Sequence, residues 1–328
     1  MFTLADIEAA LPVVRTAVQP TPQYAWPLLK AATGVDVVVK HENHTPIGAF
    51  KVRGGLVYVD RLKRARPDIA GIVSATTGNH GQSLAFAGHR LGLAVTIVVP
   101  FGNSPDKNAA MHAFGAELIE HGRDFDEAKD QAAVIASERG LAFAPSYHRD
   151  LVIGVATYAH ELFTACDDLE VAYVPIGLGS GISGMIGMRD ALGRKTAIVG
   201  VVAERANAYR LSVEAGRVVP TNSALTFAEG VAVRVPDPQA LDIIRRGAER
   251  IVEVSEDEIA EAIRVMFGAT HSLAEGAGAV ALAALIKERA ALKGRRAAVI
   301  LSGQNFDRAM AQTVLNGETP QIQTTGDR

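Results

Sequence analysis

From Gly71 to Tyr147 the chain alternates short apolar runs with longer amphipathic ones. Gly71–Ser74, Val95–Pro100, Glu117–Glu120 and Leu141–Ala144 read as strands, and His80–Leu91, Pro105–Phe114 and Phe125–Arg139 as helices between them. This alternation is very restrictive. A strand that is followed by a helix returns to a parallel neighbour, so the sheet is covered on both faces. The pattern extends outward. Val35–Lys40, Val171–Ile176, Ile198–Ala203 and Ala297–Leu301 are further expected strands, and Val52–Arg66, Ile153–Phe163 and Ser183–Leu192 further helices. Thr3 and Asp6 open a helix over Ile7–Val18 that Pro20 and Pro22 break, and Ser255-x-x-Glu258 is a capping box opening Ile259–Ala269. Thr221–Pro238 reads as irregular, and the polar tail after Pro320 as frayed. The chain is therefore α/β throughout. In open α/β sheets ligands lie beyond the carboxyl ends of strands. The glycine-rich and polar loops here all follow strands: the Lys51 loop, Ala75–Gly81, Gly177–Gly184, Glu204 and Ser302–Asn305.

Composition excludes several classes of function. A net charge of −3, with no long Lys/Arg run, leaves no electrostatic footprint for nucleic acid. No apolar run reaches the roughly 18 residues of a membrane span. Ala277–Ile286 is shorter, ends in Lys287 and Glu288, and reads as a buried helix. Cys166 is the only cysteine, which excludes an intrachain disulfide and a cysteine-based zinc site. With no basic-then-apolar pattern in Met1–Ala10, the expected location is cytoplasmic.

Lys51 stands between Phe50 and Val52 in N-H-T-P-I-G-A-F-K-V-R-G-G. Desolvation lowers a lysine's pKa, and a neutral amine is what Schiff-base chemistry requires. The same residues also suit a lysine whose stem packs on the core while its head reaches water. Gly177-Leu178-Gly179-Ser180-Gly181-Ile182-Ser183-Gly184 joins a strand to a helix, where backbone amides bind anions and glycines admit a phosphate. Two owners of that phosphate are open. Gly179-x-Gly181-x-x-Gly184, with Glu204 lying 20 residues beyond Gly184, matches the dinucleotide fingerprint of a nicotinamide-dependent dehydrogenase. Against this, the fingerprint stands mid-chain, Pro175 interrupts its strand, and Lys51 would have no role. A non-catalytic nucleotide-binding module is a third reading.

Four motifs, E-N-H-T-P-I-G-A-F-K-V-R-G-G, S-A-T-T-G-N-H-G-Q, V-P-I-G-L-G-S-G-I-S-G and L-S-G-Q-N-F-D, run in order from Glu42 to Asp307. In that order they resemble the β-family, or fold type II, of pyridoxal-phosphate enzymes, which includes serine and threonine dehydratases and serine racemase. The resemblance implies two open parallel-sheet α/β lobes like those of the tryptophan synthase β-subunit. A small domain is expected at residues 71–147 and a large cofactor-binding domain at 1–70 and 148–328. It implies that Lys51 bonds the cofactor, pyridoxal 5′-phosphate, and takes the substrate's Cα proton. Phe50 would pack along the cofactor ring, and Asn79 would bond its phenolic oxygen. Gly177, Leu178, Gly179, Ser180 and Gly181 would hold the phosphate, although Leu178 and Ser180 depart from the family's four glycines. Ser302 would meet the pyridine nitrogen, and Glu275 would lie near the cofactor edge. Thr76, Thr77, Asn79 and His80 would grip the substrate carboxylate. The same loop also reads as a helix start capped by Thr77 or Asn79.

The departures narrow the expectation. The family's divalent-cation site would use Glu204 and an acid six residues on, where this chain has Arg210, which cannot ligate a metal. No metal is therefore expected, and Glu204 is expected to pair with Arg205 or Arg210. Racemases carry serine where Thr77 stands. His148 and Arg149 are expected to face the substrate side chain, suiting a bulky or anionic β-substituent such as that of 3-phenylserine or 3-hydroxyaspartate; they equally suit a solvated loop. The expected activity is an ammonia-lyase acting on a β-hydroxy α-amino acid of the threonine or serine type. A 3-hydroxyaspartate dehydratase, a racemase and a β-replacement enzyme are the alternatives, with a homodimer as the expected assembly.

Overall fold

The computed structural model describes residues 1–322, and the tail expected to be frayed lies, from residue 323 on, outside the described residues. The strands are β1 (Gln23–Ala25), β2 (Asp36–His41), β3 (Gly71–Ala75), β4 (Ala94–Val99), β5 (Glu117–Glu120), β6 (Ala142–Phe143), β7 (Val171–Pro175), β8 (Ala197–Ala203), β9 (Arg250–Val254) and β10 (Arg296–Leu301). They form a four-stranded sheet ordered β5-β4-β3-β6 and a six-stranded sheet ordered β1-β2-β10-β7-β8-β9. All pairings are parallel except that of β1 with β2.

The chain divides into two compact units, Met1–Gln19 with Thr45–Thr157, and Pro20–His44 with Tyr158–Arg328. The first holds the four-stranded sheet. Val73, Ala75 and Val98 on its strands meet Ala128, Ala132 and Ile135 of the helix Phe125–Arg139. This unit is wider than the expected small domain at 71–147, for it takes in the helices Leu4–Arg15 and Lys51–Ala65. Close packing explains the difference. A Cβ at Gly55 would stand 2.2 Å from Ser83 Oγ, and one at Gly54 would stand 2.8 Å from the Leu151 carbonyl. Two mid-helix glycines thus seat the Lys51 helix on the helices Asn79–Leu91 and Arg149–Ala165. Arg53, fully buried on the same helix, donates to Thr157 Oγ1 at 3.1 Å.

The second unit holds the six-stranded sheet. Its core is built around the helix Gly276–Glu288, the apolar run that reads as buried from sequence, with Val280, Leu282 and Leu285 against Tyr173 and Val299 of the sheet. β9 goes unseen in the sequence because it is partly exposed along most of its length and carries charges, an edge strand beside β8. Among the described residues, no helix is long and apolar enough to cross a membrane.

Each sheet reverses its strand order once. In the first, β4 and β5 lie on one side of β3, and β6 returns on the other. In the second, β8 and β9 lie on one side of β7, and β10 returns on the other. The loops leaving β3 and β6, and those leaving β7 and β10, therefore flank the positions where open α/β sheets receive ligands.

Candidate active site

In the first unit, Lys51 is the first residue of its helix, delivered by a tight loop. Thr45 closes that loop: its hydroxyl donates to the Ala49 carbonyl at 2.9 Å and accepts from the Ala49 amide at 3.0 Å. Gly48 takes the left-handed turn between them (φ +69°), a conformation glycine adopts without steric cost. The Lys51 Nζ lies 5.1 Å from the centre of the Phe50 ring, within cation–π range. Ser83 donates its hydroxyl to the Lys51 carbonyl at 2.6 Å and pins the helix start. Sequence reading missed Ser83, which falls just past the S-A-T-T-G-N-H-G-Q motif.

Thr76, Thr77, Asn79 and His80 follow β3 as expected. Neither Thr77 nor Asn79 caps the next helix, however. The N-cap is Gly78, no side-chain hydrogen bond closes this helix start, and Asn79 is its first residue. Thr76 instead accepts the Gly78 amide on its hydroxyl at 3.2 Å. His80 is buried, and its imidazole pKa is pushed down to about 3, first by loss of solvent and then by the Lys51 charge, while a hydrogen bond to the Pro145 backbone opposes the shift. Its Nε2 has no hydrogen-bond partner, so Nδ1 makes the bond to Pro145. His80 follows β3 and Pro145 follows β6, so this bond spans the strand reversal of the first sheet.

His148 and Arg149 sit at the other end of that loop. Arg149 is half exposed, forms an ion pair with Asp6 at 3.0 Å and donates to the Met1 carbonyl at 3.1 Å. That engagement places its guanidinium beside the N-terminal helix. The His148 ring meets the Tyr58 ring edge-on at 5.2 Å, and its Nδ1 accepts from the Asp150 amide at 3.1 Å.

In the second unit, the glycine loop leaves β7. The following helix, Ser180–Ala191, starts three residues earlier than its sequence pattern suggests, so Ser180 is a buried helical residue rather than a loop residue. Gly179 is its N-cap, with φ +104°, and a Cβ there would stand 2.6 Å from Ala240 Cβ. A Cβ at Gly177 would stand 2.4 Å from the Gly230 carbonyl. Two hydroxyls steady the loop: Tyr209 donates to the Leu178 carbonyl at 2.8 Å, and Tyr158 to the Gly181 carbonyl at 3.1 Å. Nothing in the sequence marks these tyrosines, since only the fold brings them to the loop.

Ser302 leaves β10 on the other side of the reversal. It is buried, and its Oγ lies 3.2 Å from the Ala277 carbonyl, long for a hydroxyl donor. Glu275 is the buried N-cap of Gly276–Glu288, and its amide donates to the Gly303 carbonyl at 3.1 Å. Gly278 permits this approach, since a Cβ there would stand 2.3 Å from the same carbonyl. Arg210 engages Glu214 at 3.0 Å and Glu253 at 2.5 Å rather than Glu204.

A family model for pyridoxal-phosphate dependent enzymes matches residues 14–303. The chain belongs to this family. It is 32% identical over 320 residues to an L-threonine ammonia-lyase of Thermotoga maritima, covering 96% of this chain and 79% of that protein. It is 30% identical over 298 residues to an L-threo-3-hydroxyaspartate ammonia-lyase of a Pseudomonas species, covering 90% and 93%. A solved structure of threonine deaminase isoform 2 from Solanum lycopersicum superposes with a TM-score of 0.90 at 28% identity, covering 95% of this chain and 91% of that one. The fold is thus the type II fold of pyridoxal-phosphate enzymes, and the nicotinamide and nucleotide-module readings of the glycine loop fall away. The residues also fit pyridoxal phosphate on their own chemistry: a glycine loop at a helix start whose positions 177 and 179 have no room for a side chain, a buried hydroxyl at Ser302, and a lysine beside an aromatic ring.

Proposed function

We propose that this chain is a pyridoxal-phosphate ammonia-lyase that converts a β-hydroxy α-amino acid of the threonine or serine type to a 2-oxo acid and ammonia. The observation that carries the reading is the residue type at the end of β10. Ser302 is a hydroxyl where a carboxylate would protonate the ring nitrogen. A hydroxyl leaves the electron sink weaker, which suits prompt elimination over a long-lived carbanion. When bound, the cofactor supplies the carbonyl that takes up the substrate's amino group and acidifies its Cα–H.

The chain's residues do the rest. The amides of Gly177, Leu178, Gly179, Ser180 and Gly181 hold the phosphate at a helix start. Asn79 bonds the phenolic oxygen, Phe50 packs along the ring, and Glu275 borders its edge. Thr76, Thr77, Asn79 and His80 orient the substrate carboxylate. Lys51 Nζ takes the Cα proton and hands a proton to the hydroxyl as the Cβ–O bond breaks, so that it leaves as water. The dehydrated product then takes up water at Cα and releases ammonia, so the water lost and the water gained cancel and the overall change is loss of ammonia to give the 2-oxo acid.

The names of the relatives leave two substrate classes to weigh, and the side chain at 149 favours the neutral one. With Arg149 held by Asp6, it offers no cation to the second carboxylate of 3-hydroxyaspartate. The test is a panel of threonine, serine, 3-hydroxyaspartate and 3-phenylserine, with borohydride reduction and mass mapping of the Lys51 peptide. Equal yields of 2-oxo acid and ammonia from threonine or serine, with a reduced phosphopyridoxyl group on Lys51, support the proposal. Inverted substrate alone, or a new amino acid formed with an added thiol, would replace it with racemisation or β-replacement. We further propose a cytoplasmic homodimer, to be read by light scattering.

A further inference from the structure

We propose that Lys107 supplies the positive charge of the loop that receives the substrate's α-carboxylate. The inference rests on the reading of Thr76, Thr77, Asn79 and His80 as that loop. Lys107 lies in the first turn of the helix Pro105–Ala113, which follows β4, the parallel neighbour of β3. Ser104 caps this helix, accepting the Lys107 amide on its hydroxyl at 3.3 Å. Lys107 and Met111 stand four residues apart and so share one face of the helix. Both meet glycines of the T-T-G-N-H-G stretch. A Cβ at Gly78 would stand 3.2 Å from Lys107 Cδ and 3.7 Å from its Cε, and one at Gly81 would stand 2.4 Å from Met111 Sδ. The ammonium, one bond beyond Cε, is thereby delivered to the loop that leaves β3.

Burial and helix polarity both disfavour a cation at this place. Lys107 is only 9% exposed, and a buried charge is costly unless an opposite charge meets it. It occupies the first turn of its own helix, and Gly78, against which its stem lies, is the N-cap of Asn79–Leu91. Both helix starts are positive ends, which repel a cation and attract an anion. An anion on the loop turns each of these terms favourable. The Asn79 helix start offers its amides to one, since no side-chain hydrogen bond closes it. The loop's own side chains do not furnish the charge. Thr76, Thr77 and Asn79 are neutral. His80 gives its Nδ1 proton to the Pro145 carbonyl and leaves Nε2, buried and without a hydrogen-bond partner, as a lone pair. With its pKa pushed down to about 3, first by burial and then by Lys51, the imidazole stays neutral. A carboxylate held by amides beside an ammonium gains charge-assisted bonding, roughly twice as strong as neutral bonding.

The test uses the full-length holoenzyme and two probes read by its visible band. One is 2-aminoisobutyrate, which has no Cα proton and so binds without turnover; the other is its amide, which lacks the carboxylate charge. Lys107→Met keeps a stem against Gly78 without the ammonium, and Lys107→Arg keeps a cation. Wild-type protein should bind the acid more tightly than the amide. Lys107→Met should raise the Kd of the acid by about ten- to hundredfold and change that of the amide by less than about twofold. Lys107→Arg should retain the preference for the acid. Both variants should hold the wild-type content of pyridoxal phosphate. An unchanged acid Kd in Lys107→Met, an equal loss of acid and amide, or a preference lost as fully in Lys107→Arg would overturn the role of Lys107 while leaving the loop reading intact. A wild-type protein that binds acid and amide equally would overturn both.

Discussion

At the scale of single residues, Lys51 and His80 stand out. Lys51→Ala should lose the covalent attachment and lower kcat by about 10³-fold or more, since it removes the group proposed to move the Cα proton; ammonia release and mass mapping read the two effects separately. His80 bears on stability. Its imidazole refuses a proton in the folded chain until about pH 3, whereas an unfolded histidine takes one near pH 6.5. The folded pKa is depressed, so stability falls as pH drops from about 6.5 toward 3, by up to about 1.4 kcal/mol per pH unit. His80→Gln should flatten that part of the profile, as measured by urea midpoints between pH 7 and 4.5.

At the scale of elements, glycines decide how helices meet. In an exposed helix, Gly→Ala stabilises by about 1 kcal/mol. At Gly55 the added methyl would enter the space of Ser83 Oγ, which is itself held by the Lys51 carbonyl. Gly55→Ala should therefore destabilise by about 1–3 kcal/mol, the cost of overpacking, as seen in denaturant melts. Gly179→Ala meets both a left-handed backbone and a close Ala240 methyl. It should weaken pyridoxal phosphate uptake by about tenfold or more, measured by titration of the apoprotein. The V-R-G-G and G-L-G-S-G motifs thus hold glycine for different reasons, close helix contact in one and backbone geometry in the other.

At the scale of the whole molecule, each unit is assembled from two separate stretches of chain. In the second unit Lys40 of β2 is completely buried and pairs with Glu161 at 2.6 Å, while its ammonium also donates to the Thr21 carbonyl at 3.0 Å. Thr21 Oγ1 in turn donates to the buried Glu42 at 2.6 Å. The network ties residues 20–44 to the stretch that begins at Tyr158. Lys40→Met leaves a buried carboxylate without its cation and should cost about 3–5 kcal/mol, whereas Lys40→Met combined with Glu161→Met should recover most of the loss. A denaturant-melt double-mutant cycle measures both.

The sequence by itself determined the α/β class, the order of most strands and helices, and the loops that bear Lys51, Asn79, Gly177–Gly181 and Ser302. Local periodicity, glycine placement and strand-end position carry that information directly. What it left open depended on contacts between distant residues. The first unit's extent follows from Gly54 and Gly55 meeting Leu151 and Ser83. The edge strand Arg250–Val254 exists because β8 offers it a partner, not because of its own pattern. The neutrality of His80 comes from burial beside Lys51, and the engagement of Arg149 from Asp6 far along the chain. Periodicity records which face of an element avoids water; which neighbour covers that face, and which buried polar group finds a partner there, is decided only when the chain closes on itself.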